Sequence, residues 1–295
     1  MVHEIFSDDL RVGIDSLGAQ LISIKDNDGL EYIWQRNPDV WAKSSPVLFP
    51  VVGRSRGGIL NIGGKDYKMP IHGFIASSEM TVSEKKDNEI TFFISSNDEL
   101  KNVYPFDFEF YVIFALSGKK LTVTYKVINK DSKEMYFGCG GHTGFSLALT
   151  KDDKFENWDL EFEYDEPLWA NDTDMKEVEI SSDKKHEIPR KGNVVHLKRE
   201  LFDNDAMIFE NLKSKVITLK NRVFGKRIVF SYADYPVIAV WTKARPCDAA
   251  AYVCLEPWQS MGFRSGEGNT IEEKFDIVKL APGAEKDYSF DMEIN

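Results

Sequence analysis

The sequence predicts an all-β protein, a large antiparallel β-sandwich, and three observations carry that expectation. Short segments of alternating apolar and polar residues recur along the chain, turn residues separate them, and no long segment repeats its apolar residues at helical spacing.

The clearest segments are FEFYVIFAL and LTVTYKVIN, joined through Ser117-Gly118-Lys119-Lys120. Leu121, Val123, Tyr125 and Val127 alternate with mostly polar neighbours, which gives a β-hairpin with one buried and one wet face. VITLK and RIVFSY repeat this arrangement around Phe224-Gly225-Lys226. PVIAVWT, AAYVCLEPW, KFDIVKL and DYSFDMEI extend the strand pattern to the last residues. DELKNVY offers about two turns of helix. The charged stretch 171–200 reads as a long surface connection. With no repeat, low-complexity run or linker, residues 1–295 are expected to form a single domain, a size that all-β sandwiches reach.

Composition narrows the function. Hydrophobic residues at 42% and aromatics at 13% suffice both to fill a core and to line a ligand pocket. The 37 Lys and Arg against 48 Asp and Glu leave a net charge of −11, which disfavours a phosphate-backbone partner, so nucleic-acid binding is not expected. Cys139, Cys247 and Cys254 cannot all pair and form no C-x-x-C, which argues against a disulfide framework or zinc knuckle and for a reducing cytoplasm. MVHEIFSDDL lacks the pattern of an export leader, and no apolar stretch is long enough to span a bilayer, so no membrane association is expected. G-x-S-x-G, H-E-x-x-H and the phosphate-binding loop motif are absent, and GCGGHTG lacks dinucleotide-fingerprint spacing. Neither a nucleotide nor a flavin cofactor is expected, and no metal.

Two of the five histidines stand out: His72 in MPIHGF and His142 in GCGGHTGF are flanked by glycine and aromatic residues instead of charge. His3, His186 and His196 sit in ordinary polar settings. For any lone histidine, a satisfied core residue is the commoner outcome. A carboxylate in similar company strengthens the case: Glu256 ends the apolar run AAYVCL and precedes Pro257 and Trp258. An acid at a buried strand end must be ion-paired, hydrogen-bonded or raised in pKa, and the last state suits a general base. Arg54, in LFPVVGRSRGG, presents a guanidinium fork suited to vicinal hydroxyls or a carboxylate, with Arg56 as its competitor. Asp203 and Asp205, in LFDNDAMIF, offer acceptors for hydroxyls, or merely turn chemistry.

Taken together these residues resemble the aldose 1-epimerase (galactose mutarotase-like) family, within it a LacX-like branch. The resemblance runs nearly end to end through YIWQRNPDVWAKSSPVLFPVVGR, YKMPIHGFIASSEM, GGHTGFSL, LFDNDAMIFENLKS and YVCLEPWQSMGF, in that order. It implies a large twisted β-sandwich, Glu256 as catalytic base, His142 as catalytic acid, and Arg54, His72 and Asp205 as sugar-binding residues. Asp205 is preferred to Asp203 because DAMIF reproduces the family's spacing to an apolar strand. Thr143 stands where the family commonly has proline, and Ser146 where it often has asparagine, which bears on sugar preference.

The implied reaction interconverts sugar anomers by ring opening and closure, with the two charged groups on opposite sides of one sugar and a bell-shaped pH profile. Trp34, Phe74 and Trp258 are candidate stacking surfaces, although core packing is the commoner use. Three rivals remain at this level. A hexose 6-phosphate substrate would draw on Arg264 and Lys243 as extra cations. A binding-only carbohydrate sensor would keep the pocket without turnover. A zinc site would use His72, His142 and Glu256. The chain is expected to act as a monomer or a homodimer.

Overall fold

The protein is described here by a computed structural model that covers residues 1–174, 176 and 179–295, and strands dominate it. A nine-stranded antiparallel sheet has the Val194–His196 strand at one edge, followed by Trp158–Phe162, Val216–Asn221, Arg227–Ser231, Glu285–Ile294, Lys120–Asn129, Phe108–Ser117 and Glu89–Ser95, with Thr81–Lys85 at the other edge. The hairpin read from the sequence lies inside it. Leu121 faces Leu116, Val123 faces Phe114, Tyr125 faces Val112 and Val127 faces Phe110, and all eight side chains are buried. Each such side chain contributes about 1.5–3 kcal/mol through removal from water.

An eight-stranded sheet runs from Glu179–Glu187 through Trp169–Asp174, Met207–Glu210, Val237–Trp241, Tyr252–Trp258 and Gly140–Gly141 to Val47–Leu48, and Thr143–Ser146 also pairs with Tyr252–Trp258. Aromatic contacts tie it to the nine-stranded sheet: Phe145 meets Phe230 with ring centroids 6.0 Å apart, and Phe162 meets Phe209 at 5.9 Å. One cluster of buried apolar side chains includes residues from Ile5 to Ile294. The first residues add a small sheet of Val2–Phe6, Leu10–Asp15 and Gln20–Asp26. Among the described residues, no helix is long and apolar enough to cross a membrane.

Every residue of the Tyr252–Trp258 strand is buried. Val253 and Leu255 pack into the main core, while Tyr252 and Cys254 pack on the other face with Trp34, Trp41 and Trp241. The strand is therefore covered on both faces, which is why it reads as an apolar run and not as an alternation.

Three sequence readings need correction. The stretch 171–200 is not a bare connection: Trp169–Asp174 and Glu179–Glu187 pair in it, and Val194–His196 follows. Glu179–Glu187 is the sheet's edge and mostly exposed, so charged side chains suit it and no apolar alternation marks it. KFDIVKL is a strand only at Val278–Leu280. The preceding Lys274 and Asp276 pair with each other, and Asp276 accepts the Met261 N–H at 2.8 Å, which holds that segment out of the ladder. DELKNVY gives one turn, Asp98–Lys101, whose N-cap Asn97 side chain accepts the Leu100 N–H at 2.8 Å.

Candidate active site

His142 sits in a one-residue break between Gly140–Gly141 and Thr143–Ser146, which pair with the same strand. Gly140 faces Trp258 and Thr143 faces Leu255, so the register continued through the break sets His142 opposite Glu256. Such cross-strand neighbours touch. Nε2 of His142 lies 3.4 Å from Oε2 of Glu256, with 8% and 2% of the two residues exposed.

An aromatic frame orients the imidazole. Trp41 stacks on it with centroids 5.1 Å apart, and Trp241 and His72 each meet it edge-on at 5.5 Å. Gly144 makes room for Trp41: a Cβ there would lie 2.7 Å from Trp41 Cζ3 and 3.0 Å from the Ser44 carbonyl oxygen. Burial pushes the Glu256 carboxyl well above the usual carboxylate range, nearby Asp205 adds to the push, and the Trp258 indole opposes it. Burial also pulls His142 well below its ordinary value, reinforced by His72 and Lys43. Both shifts favour the uncharged form of the group, and the 3.4 Å separation lets the two share one proton.

His72 occupies the left-handed region at φ 63°, followed by Gly73 at φ 75°. A Cβ on Gly73 would lie 2.0 Å from the Phe49 carbonyl oxygen, so only glycine lets this turn pass so close to its neighbour. Nδ1 of His72 accepts the Gly53 N–H at 3.1 Å, which leaves Nε2–H as its donor. Burial, then Lys43 and Arg54, lower its pKa to about 4.

Asp205 is also left-handed, at φ 71°, and its Oδ1 accepts the Trp241 indole N–H at 2.8 Å. Burial raises its pKa, opposed by that bond, the Ala206 N–H and the Arg54 charge. Non-glycine residues in this conformation cost about 1–3 kcal/mol each and tend to persist where surrounding structure holds a functional side chain.

These groups line one cavity of about 340 Å³, a size suited to a small molecule. Glu256, His142, Arg54, His72 and Asp205 all face it, as does Trp258. Asp203 does not: it forms an exposed pair with Arg245. Arg56 pairs with Glu179. Trp34 packs on Tyr252 and donates its indole N–H to the Trp41 carbonyl, while Phe74 is core, packed on Phe49, Tyr104 and Phe108. Arg264 and Lys243, the cations considered for a phosphate, are engaged elsewhere: Arg264 pairs with Glu210 at 2.8 Å and Lys243 donates to the Val40 carbonyl at 2.9 Å.

Sequence reasoning missed Trp41, Lys43, Thr173 and Trp241 on the cavity wall. The residues that could ligate a metal also differ from the set weighed as a rival reading. Among the described residues, His142, Cys254 and Glu256 bring their ligating atoms within 4.8 Å of one another, with Cys254 in place of His72.

Comparisons with known proteins identify the family and the fold. A family model described as aldose 1-epimerase matches residues 2–275. The chain is 30% identical over 300 residues to the chromosomal LacX protein of Lactococcus lactis subsp. lactis, covering 100% of this chain and 99% of that protein. It superposes on a galactose mutarotase related enzyme from Lactobacillus acidophilus with a TM-score of 0.94 at 29% identity, covering 100% of this chain and 97% of that one. A galactose mutarotase-like protein from Lactobacillus casei gives 0.93 at 28% identity, with 100% of both chains covered. The chain belongs to the aldose 1-epimerase family, on its LacX-like branch, and is an isomerase acting on carbohydrates.

Proposed function

We propose that the enzyme interconverts the α and β anomers of an aldohexose, with Glu256 and His142 as its proton-transfer pair. The observation that carries this reading is their 3.4 Å contact on the wall of a sugar-sized cavity. The two groups are neighbours, not partners across a ring. That arrangement suits anomer exchange, because the anomeric hydroxyl and the ring oxygen share one carbon and present themselves side by side.

In the competent tautomer the shared proton is on His142. The Glu256 carboxylate takes the proton of the anomeric hydroxyl as the bond from C1 to the ring oxygen breaks, and its electron pair goes to that oxygen, which receives the His142 proton. The aldehyde rotates about C1–C2, and the reverse transfers close the opposite anomer. Arg54, Asp205 and the His72 Nε2–H hold the remaining hydroxyls. Activity falls at low pH, where the pair gains a second proton, and at high pH, where it loses the shared one, which gives a bell.

A second reading concerns the substrate. Among the described residues Lys43 and Arg54 are the lysine and arginine lining the cavity, and a 6-phosphate or other anionic substituent would pair with them. The three unpaired cysteines fit a cytoplasmic setting.

Polarimetry of fresh α-glucose, α-galactose and their 6-phosphates tests both readings. The wild type accelerates mutarotation, and Glu256→Gln and His142→Asn each lose about a hundred- to ten-thousand-fold. Full activity in either variant removes the mechanism, and an inert wild type on every sugar leaves only the binding protein.

A further inference from the structure

Cys254 takes no part in the proton transfers above, yet it lies beside them. On the Tyr252–Trp258 strand, side chains two residues apart share a face, so Cys254 and Glu256 project together, and the opposed strand brings His142 to the same place. The three ligating atoms lie within 4.8 Å of one another, among buried side chains, and Glu256 and His142 open onto the cavity.

We propose that His142, Cys254 and Glu256 form an inhibitory site for a thiophilic divalent cation such as Zn²⁺. One imidazole, one thiolate and one carboxylate make a donor set that this borderline-soft ion accepts, with a fourth position left to water from the cavity. Bonds of about 2.0–2.3 Å set tetrahedral ligand atoms about 3.3–3.7 Å apart, so atoms that start within 4.8 Å of one another close by about 1 Å as the cation binds. As the metal binds, the Cys254 thiol gives up its proton and the His142–Glu256 pair gives up the one it shares, so two protons pass to solvent for each cation bound. Thiolate and carboxylate then neutralise the dication, so the buried complex carries no net charge. Oxygen-preferring Mg²⁺ and Ca²⁺ match this set poorly.

The consequence for activity rests on the proposed function. A bound cation occupies both the imidazole and the carboxylate that must exchange protons, so the enzyme stops, and sugar and metal compete. Cys254 also packs against Trp34, Trp41 and Tyr252, and a packing role alone would leave metal affinity indifferent to its sulfur.

The test titrates the full-length protein with Co²⁺ and then Zn²⁺. One Co²⁺ binds with a thiolate-to-metal charge-transfer band, Zn²⁺ displaces it, micromolar Zn²⁺ halts mutarotation, and a chelator restores it. Cys254→Ala, with Cys254→Ser as a second variant checked for folding by circular dichroism, loses the band and is less sensitive to Zn²⁺ by about tenfold or more. Cys247→Ala, at the partly exposed cysteine, keeps both properties. A Co²⁺ complex without the thiolate band, undiminished Zn²⁺ sensitivity in both Cys254 variants, or no binding at millimolar metal overturns the site. The cobalt spectrum needs no turnover, so a protein that binds Co²⁺ through sulfur but accelerates no sugar would refute the proposed function and leave the metal site standing.

Discussion

His72 shows how a single residue can tie the cavity to pH. Burial and the charges of Lys43 and Arg54 lower its pKa from 6.5 to about 4. Between those values the unfolded chain binds a proton that the folded one refuses, so stability is fully present above about pH 6.5 and is lost as pH falls through about 4. The difference is worth up to about 3 kcal/mol. His72→Gln keeps an acceptor for the Gly53 N–H but has nothing to titrate. Urea unfolding of both proteins across this range should show the wild type losing more stability than the variant, and parallel curves would mean that His72 titrates normally.

At the same scale, the sequence made some residues legible and hid others. Glu256 and His142 stood out because an acid and a glycine-flanked imidazole were set in apolar company. Asp203 and Asp205 were indistinguishable by composition and were separated only by resemblance; in the fold Asp203 pairs with Arg245 at the surface while Asp205 faces the cavity. Trp41 and Lys43 gave no signal, because they lie in an irregular segment and Trp41 meets His142 only through tertiary stacking.

At the scale of elements, Gly144 couples a strand to the roof of the site. The Cβ added by Gly144→Ala would press on Trp41 and on the Ser44 carbonyl oxygen, and backbone yields poorly. Overpacking of this kind costs about 1–3 kcal/mol. It should also tilt Trp41 away from His142 and slow mutarotation, with altered tryptophan fluorescence. Gly268→Ala meets nothing within 4 Å and serves as the control. Equal activity in the two variants would separate Trp41 from the reaction. The hairpin Phe108–Ser117 and Lys120–Asn129 was readable because one face is wet, which preserves its alternation. Glu179–Glu187 was not, because an exposed edge tolerates charge at most positions, and Tyr252–Trp258 hid its two faces because both are buried.

For the whole molecule, the cavity cannot be assigned to any one stretch of chain. Its walls come from residues between Trp41 and Gly262, and behind it Gly141 abuts the nine-stranded sheet, where a Cβ would lie 3.0 Å from the Phe290 ring. Loosening either sheet would therefore disturb the backing of His142. The main apolar cluster includes residues from both large sheets and from the small N-terminal one. We propose on this basis that residues 1–295 unfold as a single cooperative domain. Far-ultraviolet circular dichroism reports strands everywhere, tryptophan fluorescence reports the Trp34, Trp41 and Trp241 cluster together with Trp158, Trp169 and Trp258, and residual mutarotation reports the cavity. Followed against urea, the three should share one midpoint, since the walls of the site are borne by the same sheets that hold the core. Activity lost at lower urea than the dichroism would show that the cavity loops open on their own. Two separated dichroism steps would divide the chain into more than one folding unit.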